Sequence, residues 1–136
     1  MPALLAAALL LFSIGCRQPS SAIVVDQDFY TPAMSSTVGI GLSPAFEGGT
    51  ARCHWRTDYG FFLSWGPPDY KVVNLGPETR NNGEKVYWSY DPAEMSKEKP
   101  EVELALTLED PISGAPVSEA MLRLRWKDAG TAEVVR

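Results

Sequence analysis

The residues best suited to covalent chemistry are Cys53 and His54, which are adjacent, and Cys16 near the N-terminus. A thiol nucleophile needs a base within hydrogen-bond reach and a third group that orients the base. Residues 50–57 alternate apolar and polar side chains, and adjacent strand residues point to opposite faces of a sheet. We therefore expect no catalytic dyad: Cys53 is predicted to be a buried thiol and His54 a surface imidazole.

Metal, cofactor and enzyme chemistry have little support in the sequence. A single histidine and a cysteine that point in different directions cannot build a zinc site. Calcium would find oxygen ligands in several predicted loops, but aspartate is also a common turn residue. The carboxylates concerned are Asp26, Asp28, Asp58, Glu109 and Asp110. The chain has no nucleophile elbow, phosphate loop or dinucleotide fingerprint. We expect no metal, no cofactor and no enzymatic activity.

Aromatic residues are the strongest indication of a binding function. Nine of the fourteen lie between Trp55 and Tyr90. Alternation directs Trp55 and Trp88 inward, whereas other rings fall in turns or on the outward face. Exposed rings can stack on sugars or anchor a protein partner. The candidate binding patch comprises Tyr59, Phe62, Trp65, Tyr70 and Tyr87, and the alternative is a large aromatic core with ordinary surface tyrosines.

An apolar leader occupies the first fifteen residues and ends in a small residue followed by Cys16. Its run of Ala, Leu, Ile and Phe is shorter than the roughly 20 residues that a membrane span requires, and it has the length of a signal-peptide core. The tetrapeptide Ser13-Ile14-Gly15-Cys16 resembles the lipobox of bacterial lipoproteins. That resemblance implies a diacylglyceryl group on the Cys16 thiol, cleavage before Cys16 and export to a membrane surface outside the cytoplasm.

Two departures from the lipoprotein pattern leave other forms of export open. Ser13 stands where the lipobox usually has leucine, and no basic residue precedes the apolar run. A plain secretory signal or a short membrane anchor is the alternative. A Cys16 without lipid could form a disulfide with Cys53, whereas a lipidated Cys16 leaves Cys53 without an intrachain partner.

The chain has 136 residues and a formal net charge of −5. The length limits the number of domains, and the charge limits the classes of partner. The part of the chain after the leader has the length of one domain. An acidic balance argues against nucleic acid, because phosphate binding needs clustered Lys and Arg. We expect a signal peptide over 1–15, a lipidated N-terminus and tether over 16–36, and a single domain over 37–136.

Short runs of alternating apolar and polar residues, separated by turn residues, predict seven or eight strands and no long helix. Half-polar strands favour an all-β, two-sheet antiparallel sandwich over a parallel sheet. The clearest pattern covers residues 101–109, and a second strand is expected over 117–126. Residues 101–108 and 122–126 are expected to pair as a hairpin. Outward Glu and Arg side chains would then face each other across the pair.

The strand with Cys53-His54-Trp55, the strand that begins Gly60-Phe61-Phe62 and the strand with Val86-Tyr87-Trp88 are similar to the immunoglobulin-like and PKD-like modules of bacterial surface proteins. The likeness covers residues 37–135, although the usual pair of strand cysteines is absent. Such modules usually serve as binding, spacing or adhesion units.

The sequence thus predicts a lipid-anchored, non-catalytic interaction module of the cell envelope. Its partners would be the membrane, through the lipid on Cys16, and an envelope protein. The alternative is a carbohydrate- or cell-wall-binding module that uses exposed aromatic rings. A protease inhibitor or an enzyme is less favoured.

Overall fold

The alternating segments form two antiparallel sheets packed face to face in a computed structural model of the chain. The structure describes residues 21–31, 39–46, 51–91, 101–128 and 130–135. The described strands are β1 Ser21–Val25, β2 Phe29–Tyr30, β3 Ile40–Phe46, β4 Arg52–Thr57, β5 Phe61–Ser64, β6 Val73–Gly76, β7 Glu78–Asn81, β8 Val86–Ser89, β9 Glu101–Glu109, β10 Pro116–Asp128 and β11 Thr131–Val134. This confirms the predicted all-β sandwich. Among the described residues no helix is long and apolar enough to cross a membrane.

The first sheet has the strand order β1-β3-β8-β5-β6, and the second has the order β2-β11-β10-β9-β4-β7. Neighbouring strands are antiparallel in both sheets. Strands β1 and β2 follow each other in the chain but join different sheets. The N-terminal part of the described chain therefore links the two layers.

The core lies between the inner faces of the two sheets, where alternate residues of each strand meet. Strand β9 contributes Leu104 and Leu106, which are completely buried, while Glu101 and Glu103 on the same strand face solvent. Burying a leucine or a larger side chain stabilises the fold by about 1.5–3 kcal/mol. The largest fully buried side chains are Trp55, Trp88, Tyr30, Phe62, Ile40, Leu42, Leu104, Leu106, Leu108, Leu124, Val86 and Val102.

The predicted hairpin between residues 101–108 and 122–126 is confirmed as part of the pair β9 and β10. Leu122 lies opposite Leu104, and Arg123 lies opposite Glu103. The charged side chains pair diagonally, since Arg123 forms its ion pair with Glu101 at 3.8 Å. Exposed pairs of this kind contribute only about 0–1 kcal/mol, so the hairpin depends mainly on its apolar face.

The described chain has eleven strands, not the seven or eight expected, and two of the additional strands precede residue 37. All five residues of β1 pair with β3, from Ser21 opposite Phe46 to Val25 opposite Leu42. The segment 16–36 was expected to be a tether, but residues 21–25 and 29–30 belong to the sheets. The apolar run within β1 is too short for the sequence alone to distinguish a strand from a polar linker. The predicted leader over 1–15 and Cys16 lie outside the described residues.

Two strands contain or border residues that usually mark turns. Pro44 lies within β3, which continues to Phe46. Strand β8 pairs with β3 only as far as Leu42, so Pro44 needs no backbone donor on that side. Similarly, β7 extends to Asn81, and the turn at Asn82-Gly83 follows it directly.

The turn between β4 and β5 is fastened to the core by Trp88. Its indole Nε1–H donates to the carbonyl oxygen of Tyr59 at 2.8 Å and lies 3.2 Å from Thr57 Oγ1. Gly60 follows with φ 78°, and a Cβ at this position would overlap the carbonyl oxygen of Ser89. The turn thus requires glycine both for its backbone conformation and for its close approach to β8.

Candidate functional site

The five aromatic residues of the predicted patch do not lie together. Phe62 lies opposite Trp88 in the strand register, so both rings point into the core, and Phe62 is completely buried. Its centroid lies 6.2 Å from that of Trp55. The assignment of Phe62 to the patch was therefore wrong. Of the neighbours Phe61 and Phe62, the sequence did not reveal which one faced inward, and the register with β8 decides it.

Tyr59 lies at the opposite end of the sandwich from the loop that follows β5. Its ring packs edge-on against Trp126 at 5.8 Å, and Trp126 in turn packs against Tyr90 at 4.9 Å. The backbone of Tyr59 is held by Trp88. This tyrosine is half-buried and packs against the core, so it is not part of a patch with the other candidates.

Trp65, Tyr70 and Tyr87 do come together, on the outer face of the first sheet, and we call these three residues the aromatic platform. The Trp65 ring lies between the other two, with centroid distances of 5.3 Å to Tyr87 and 6.0 Å to Tyr70. The interplanar angles are 33° and 44°, so the rings are tilted and partly stacked. Such contacts contribute about 0.5–1.5 kcal/mol each beyond area burial.

Strand alternation and one loop create the platform. Leu63 lies opposite Tyr87, so both point to the outer face, and Trp65 follows Leu63 by two residues. The loop after Trp65 is closed by a hydrogen bond from the Tyr70 N–H to the Gly66 carbonyl oxygen at 2.8 Å. Tyr70 adopts φ 55°, the left-handed region that non-glycine residues rarely occupy. This backbone turns the Tyr70 ring back onto Trp65.

The three rings differ greatly in exposure. Tyr87 was expected to point outward, and it does lie on the outer face, but Trp65 covers it and leaves only 9% of its surface exposed. Trp65 is half-buried, whereas Tyr70 is 59% exposed. Val72 and Val73, which follow Tyr70 in the chain, are also exposed. The surface that a partner can reach is therefore Tyr70 with its two neighbouring valines.

Lys85 and Asp26 flank the platform. Sequence reasoning did not single out Lys85, and it considered Asp26 only as a calcium ligand. The Lys85 ammonium lies 5.0 Å from the centroid of the Tyr87 ring and 3.0 Å from an Asp26 carboxylate oxygen. The hydrogen bond to Asp26 raises the pKa of Lys85 above its ordinary value. Asp26 also accepts the Gly41 N–H at 2.8 Å, which ties the end of β1 to β3. The available signal was the two-residue spacing of Lys85 and Tyr87, which places them on one face.

His54 lies within a charged network on the outer face of the second sheet. Its Nε2 lies 3.1 Å from Glu78 Oε1, and its Nδ1 lies 3.7 Å from Glu109 Oε2. Arg80 links the same groups, with its Nε 3.2 Å from Glu109 Oε1 and a terminal nitrogen 3.4 Å from His54 Nδ1. The imidazole was expected to be a surface group, but these neighbours cover most of it. Strands β4, β7 and β9 hold the network in register.

Cys53 points into the core, as predicted, and is thus on the opposite face of β4 from His54. It borders a small hollow of about 200 Å³ between the two sheets. Burial raises the pKa of the thiol above its ordinary value, and the negative charge of Glu84 acts in the same direction. The predicted absence of a Cys–His dyad is consistent with this geometry. Three further hollows of the described surface are shallow and lie on the outer face of the second sheet and around the β9–β10 turn.

No group of three or more His, Cys, Asp and Glu side chains in the described parts of the chain is arranged to hold a metal ion. Asp58 and Asp110, which were considered as oxygen ligands, hold backbone N–H groups instead. Asp58 accepts the Glu103 N–H at 3.0 Å, and Asp110 accepts two N–H groups of its own turn. Their positions match the turn role that the sequence also allowed.

The site is thus an apolar surface flanked by the Lys85–Asp26 ion pair and next to β6, an edge strand of the first sheet. Comparison of the chain with protein-family models, with curated proteins and with solved structures finds no match.

Proposed function

We propose that the protein is a non-catalytic binding module that is exported, anchored to a membrane by a lipid on Cys16, and bound to a protein partner through the aromatic platform. The lipid anchor follows from the leader and the resemblance of residues 13–16 to a lipobox. The binding role follows from the composition and exposure of the platform. Separate experiments test the two parts.

The observation that carries the binding role is the conformation of Tyr70. A non-glycine residue in the left-handed region costs roughly 1–3 kcal/mol, and such residues cluster at binding sites. The residue in this conformation, Tyr70, also has 59% of its surface exposed, which is uncommon for a large aromatic side chain. A partner that covers Tyr70 would remove this exposed apolar area from water.

A protein partner is favoured over a glycan by the shape of the surface. Sugar-binding surfaces would present a flat row of exposed rings, but here Trp65 and Tyr87 are stacked beneath Tyr70 and largely covered. The exposed side chains of Val72 and Val73 continue the apolar area onto β6, which is an edge strand of the first sheet. An extended peptide segment can add to such an edge while its side chains contact the neighbouring apolar residues.

The proposal that the module is non-catalytic is supported by the two groups that could have served in catalysis. Cys53 is buried in the core with a raised pKa, so little thiolate is present at neutral pH. His54 lies in a network with Glu78, Glu109 and Arg80 on the outer face of the second sheet, where groups of opposite charge face each other. Cross-strand charge pairs of this kind stabilise a sheet surface.

A crosslinking experiment in intact cells tests the binding role. A photoreactive residue at Val72 should yield a discrete protein adduct, and the same residue at Met121 should not. Met121 is a matched control, because it is 54% exposed but lies on the second sheet. Adding Tyr70→Ala should abolish the adduct at position 72. Equal adducts from both positions, or an adduct that survives Tyr70→Ala, would exclude the platform as the binding surface.

The carbohydrate alternative rests on the exposed face of the Tyr70 ring, which is able to stack on a sugar. Cosedimentation with purified cell-wall glycan distinguishes the two candidates. The protein-binding proposal expects no cosedimentation. Cosedimentation that Tyr70→Ala abolishes and Met121→Ala preserves would instead favour the glycan.

The anchor is tested by feeding cells an alkyne-bearing fatty acid and examining the chain for covalent label. The wild-type chain should carry the label and remain with the membrane fraction. The Cys16→Ser variant should lose both properties. A wild-type chain without label would exclude the lipid anchor but leave the binding role of the platform in place.

A further inference from the structure

Strand β1 begins at one end of the sandwich, which we call the N-terminal pole. Ser21 is paired with Phe46 at this end. Phe46, Cys53 and Leu108 line a common hollow, so the end of β3, the start of β4 and the end of β9 lie together. The chain preceding Ser21 therefore joins the domain at the pole from which β4 departs.

The turn between β9 and β10 lies at the same pole and presents an exposed isoleucine. Arg52, at the start of β4, is paired with Glu109, and Arg52 lines a shallow hollow together with Ile112. The Ile112 side chain is 96% exposed, more than any other large apolar side chain in the described part of the chain. It makes no contribution to the core.

The turn is ordered, so the exposure of Ile112 is built into its conformation. The Asp110 carboxylate accepts the N–H groups of Ile112 and Ser113 at 2.8 and 2.9 Å. The Gly114 N–H donates to the Asp110 carbonyl oxygen, and the Asp110 N–H donates to the Ala115 carbonyl oxygen, both at 2.8 Å. These bonds hold the isoleucine away from the domain.

The pole is also close to the proposed lipid. Only residues 17–20 separate Cys16 from Ser21, and five fully extended peptide units span at most about 18 Å. A tether that ended at residue 36 would have allowed about 70 Å by the same reckoning. The pairing of β1 with β3 thus limits how far the domain can move from the membrane surface.

We propose that the N-terminal pole faces the lipid bilayer and that Ile112 enters the interfacial layer of that bilayer. The proposal rests on the lipid anchor at Cys16. The anchor provides the affinity, and Ile112 sets the orientation of the domain. The hollow beside Ile112 contains Arg52 and Arg80 but also Glu109 and Asp110, so its charges balance and the contact does not depend on anionic lipid.

Tryptophan reporters test this orientation with the full-length protein purified from membranes and reconstituted into vesicles. The vesicles contain phosphatidylethanolamine with a minority of phosphatidylglycerol, with or without bromine on the upper part of the acyl chains. The variants are Ile112→Trp and Lys127→Trp. Both native side chains are exposed, and strand β10 places the two positions at opposite poles, as much as about 40 Å apart. Circular dichroism verifies that both variants keep the fold.

The emission added by Ile112→Trp should be quenched in brominated vesicles, whereas the emission added by Lys127→Trp should be unchanged. Vesicle-bound protein in which position 112 is not quenched, or in which position 127 is quenched equally, would overturn the orientation while leaving the anchor intact. Protein that carries no lipid and does not associate with vesicles would overturn the anchor, and this orientation with it.

Discussion

Cys53 and His54 are neighbours in the chain, but the Cys53 thiol lies in the core and the His54 imidazole lies on the outer face of the second sheet. Because their side chains diverge, neither can activate the other. Strand alternation thus separates the two residues whose adjacency most suggests chemistry. The same geometry has a consequence for the thiol.

We expect Cys53 to react slowly with alkylating reagents in the folded protein and at the normal rate in denaturant. Burial and Glu84 raise the pKa of the thiol above its ordinary value of 9.0. The folded state therefore holds the proton more tightly than the unfolded state. The stability from the neutral buried thiol is complete below pH 9.0 and decreases as pH rises through the folded pKa.

Urea denaturation between neutral and alkaline pH measures this effect, with Cys53→Ala as the control. The wild-type midpoint should fall more steeply above pH 9.0 than that of the variant. Lys85, whose pKa is also raised, is present in both proteins, so its titration does not contribute to the difference. Parallel curves, or rapid labelling of the native thiol, would contradict the buried position of Cys53.

Shortening the inward side chains of β9 should show that they stabilise the fold. Leu104→Ala and Leu106→Ala should each lower the free energy of unfolding by about 2–5 kcal/mol, because both residues are completely buried. Met121→Ala on the neighbouring strand should change it by no more than about 0.5 kcal/mol. Chemical denaturation provides the measurement, and unchanged midpoints for both leucine variants would refute the assignment of the inner face.

Two glycines with similar backbone angles should respond differently to alanine. Gly60 has φ 78° and Gly114 has φ 74°, so alanine at either position has a cost of roughly 1–2 kcal/mol for the left-handed conformation. A Cβ at Gly60 also overlaps the Ser89 carbonyl oxygen, whereas a Cβ at Gly114 meets nothing within 4 Å.

Gly60→Ala should therefore lower the melting temperature considerably more than Gly114→Ala. The difference between the two variants reports the close approach of the β4–β5 turn to β8, because the backbone cost is common to both. Equal losses would show that the turn can move away from β8 without penalty.

Replacing Tyr70 with glycine should separate binding from stability. Glycine removes the left-handed cost of roughly 1–2 kcal/mol, and it gives up a ring contact with Trp65 of about 0.5–1.5 kcal/mol. Glycine also adds about 0.5–1 kcal/mol of unfolded-state entropy. The net change in the free energy of unfolding should stay within about 1.5 kcal/mol, while the crosslinked adduct at position 72 disappears. Unfolding of the Tyr70→Gly variant would mean that Tyr70 serves the fold and not a partner.

The alternation of apolar and polar residues was sufficient to predict that the fold consists of two packed sheets. Residues 101–109 have the clearest pattern, and β9 matches them at both ends. The inward directions of Cys53, Trp55 and Trp88 are also confirmed. These features depend on local periodicity, which the chain displays directly.

The features that the sequence did not predict depend on contacts between distant segments. Strand β1 forms through its pairing with β3, and strand β7 forms through its pairing with β4. The choice between Phe61 and Phe62 likewise follows from the register with β8. The platform was only partly anticipated: Trp65, Tyr70 and Tyr87 meet, but the left-handed conformation of Tyr70 cannot be inferred from its residue type.

The position of β1 at the edge of the first sheet also has a mechanical consequence. In the proposed orientation, with the N-terminal pole facing the membrane, tension from a lipid on Cys16 would be directed along β1 and would load its hydrogen bonds with β3 in shear. Bonds loaded in shear must fail together, whereas bonds at a peeling end would open one after another. Under that proposal, the strand nearest the anchor is paired in an arrangement that resists pulling well.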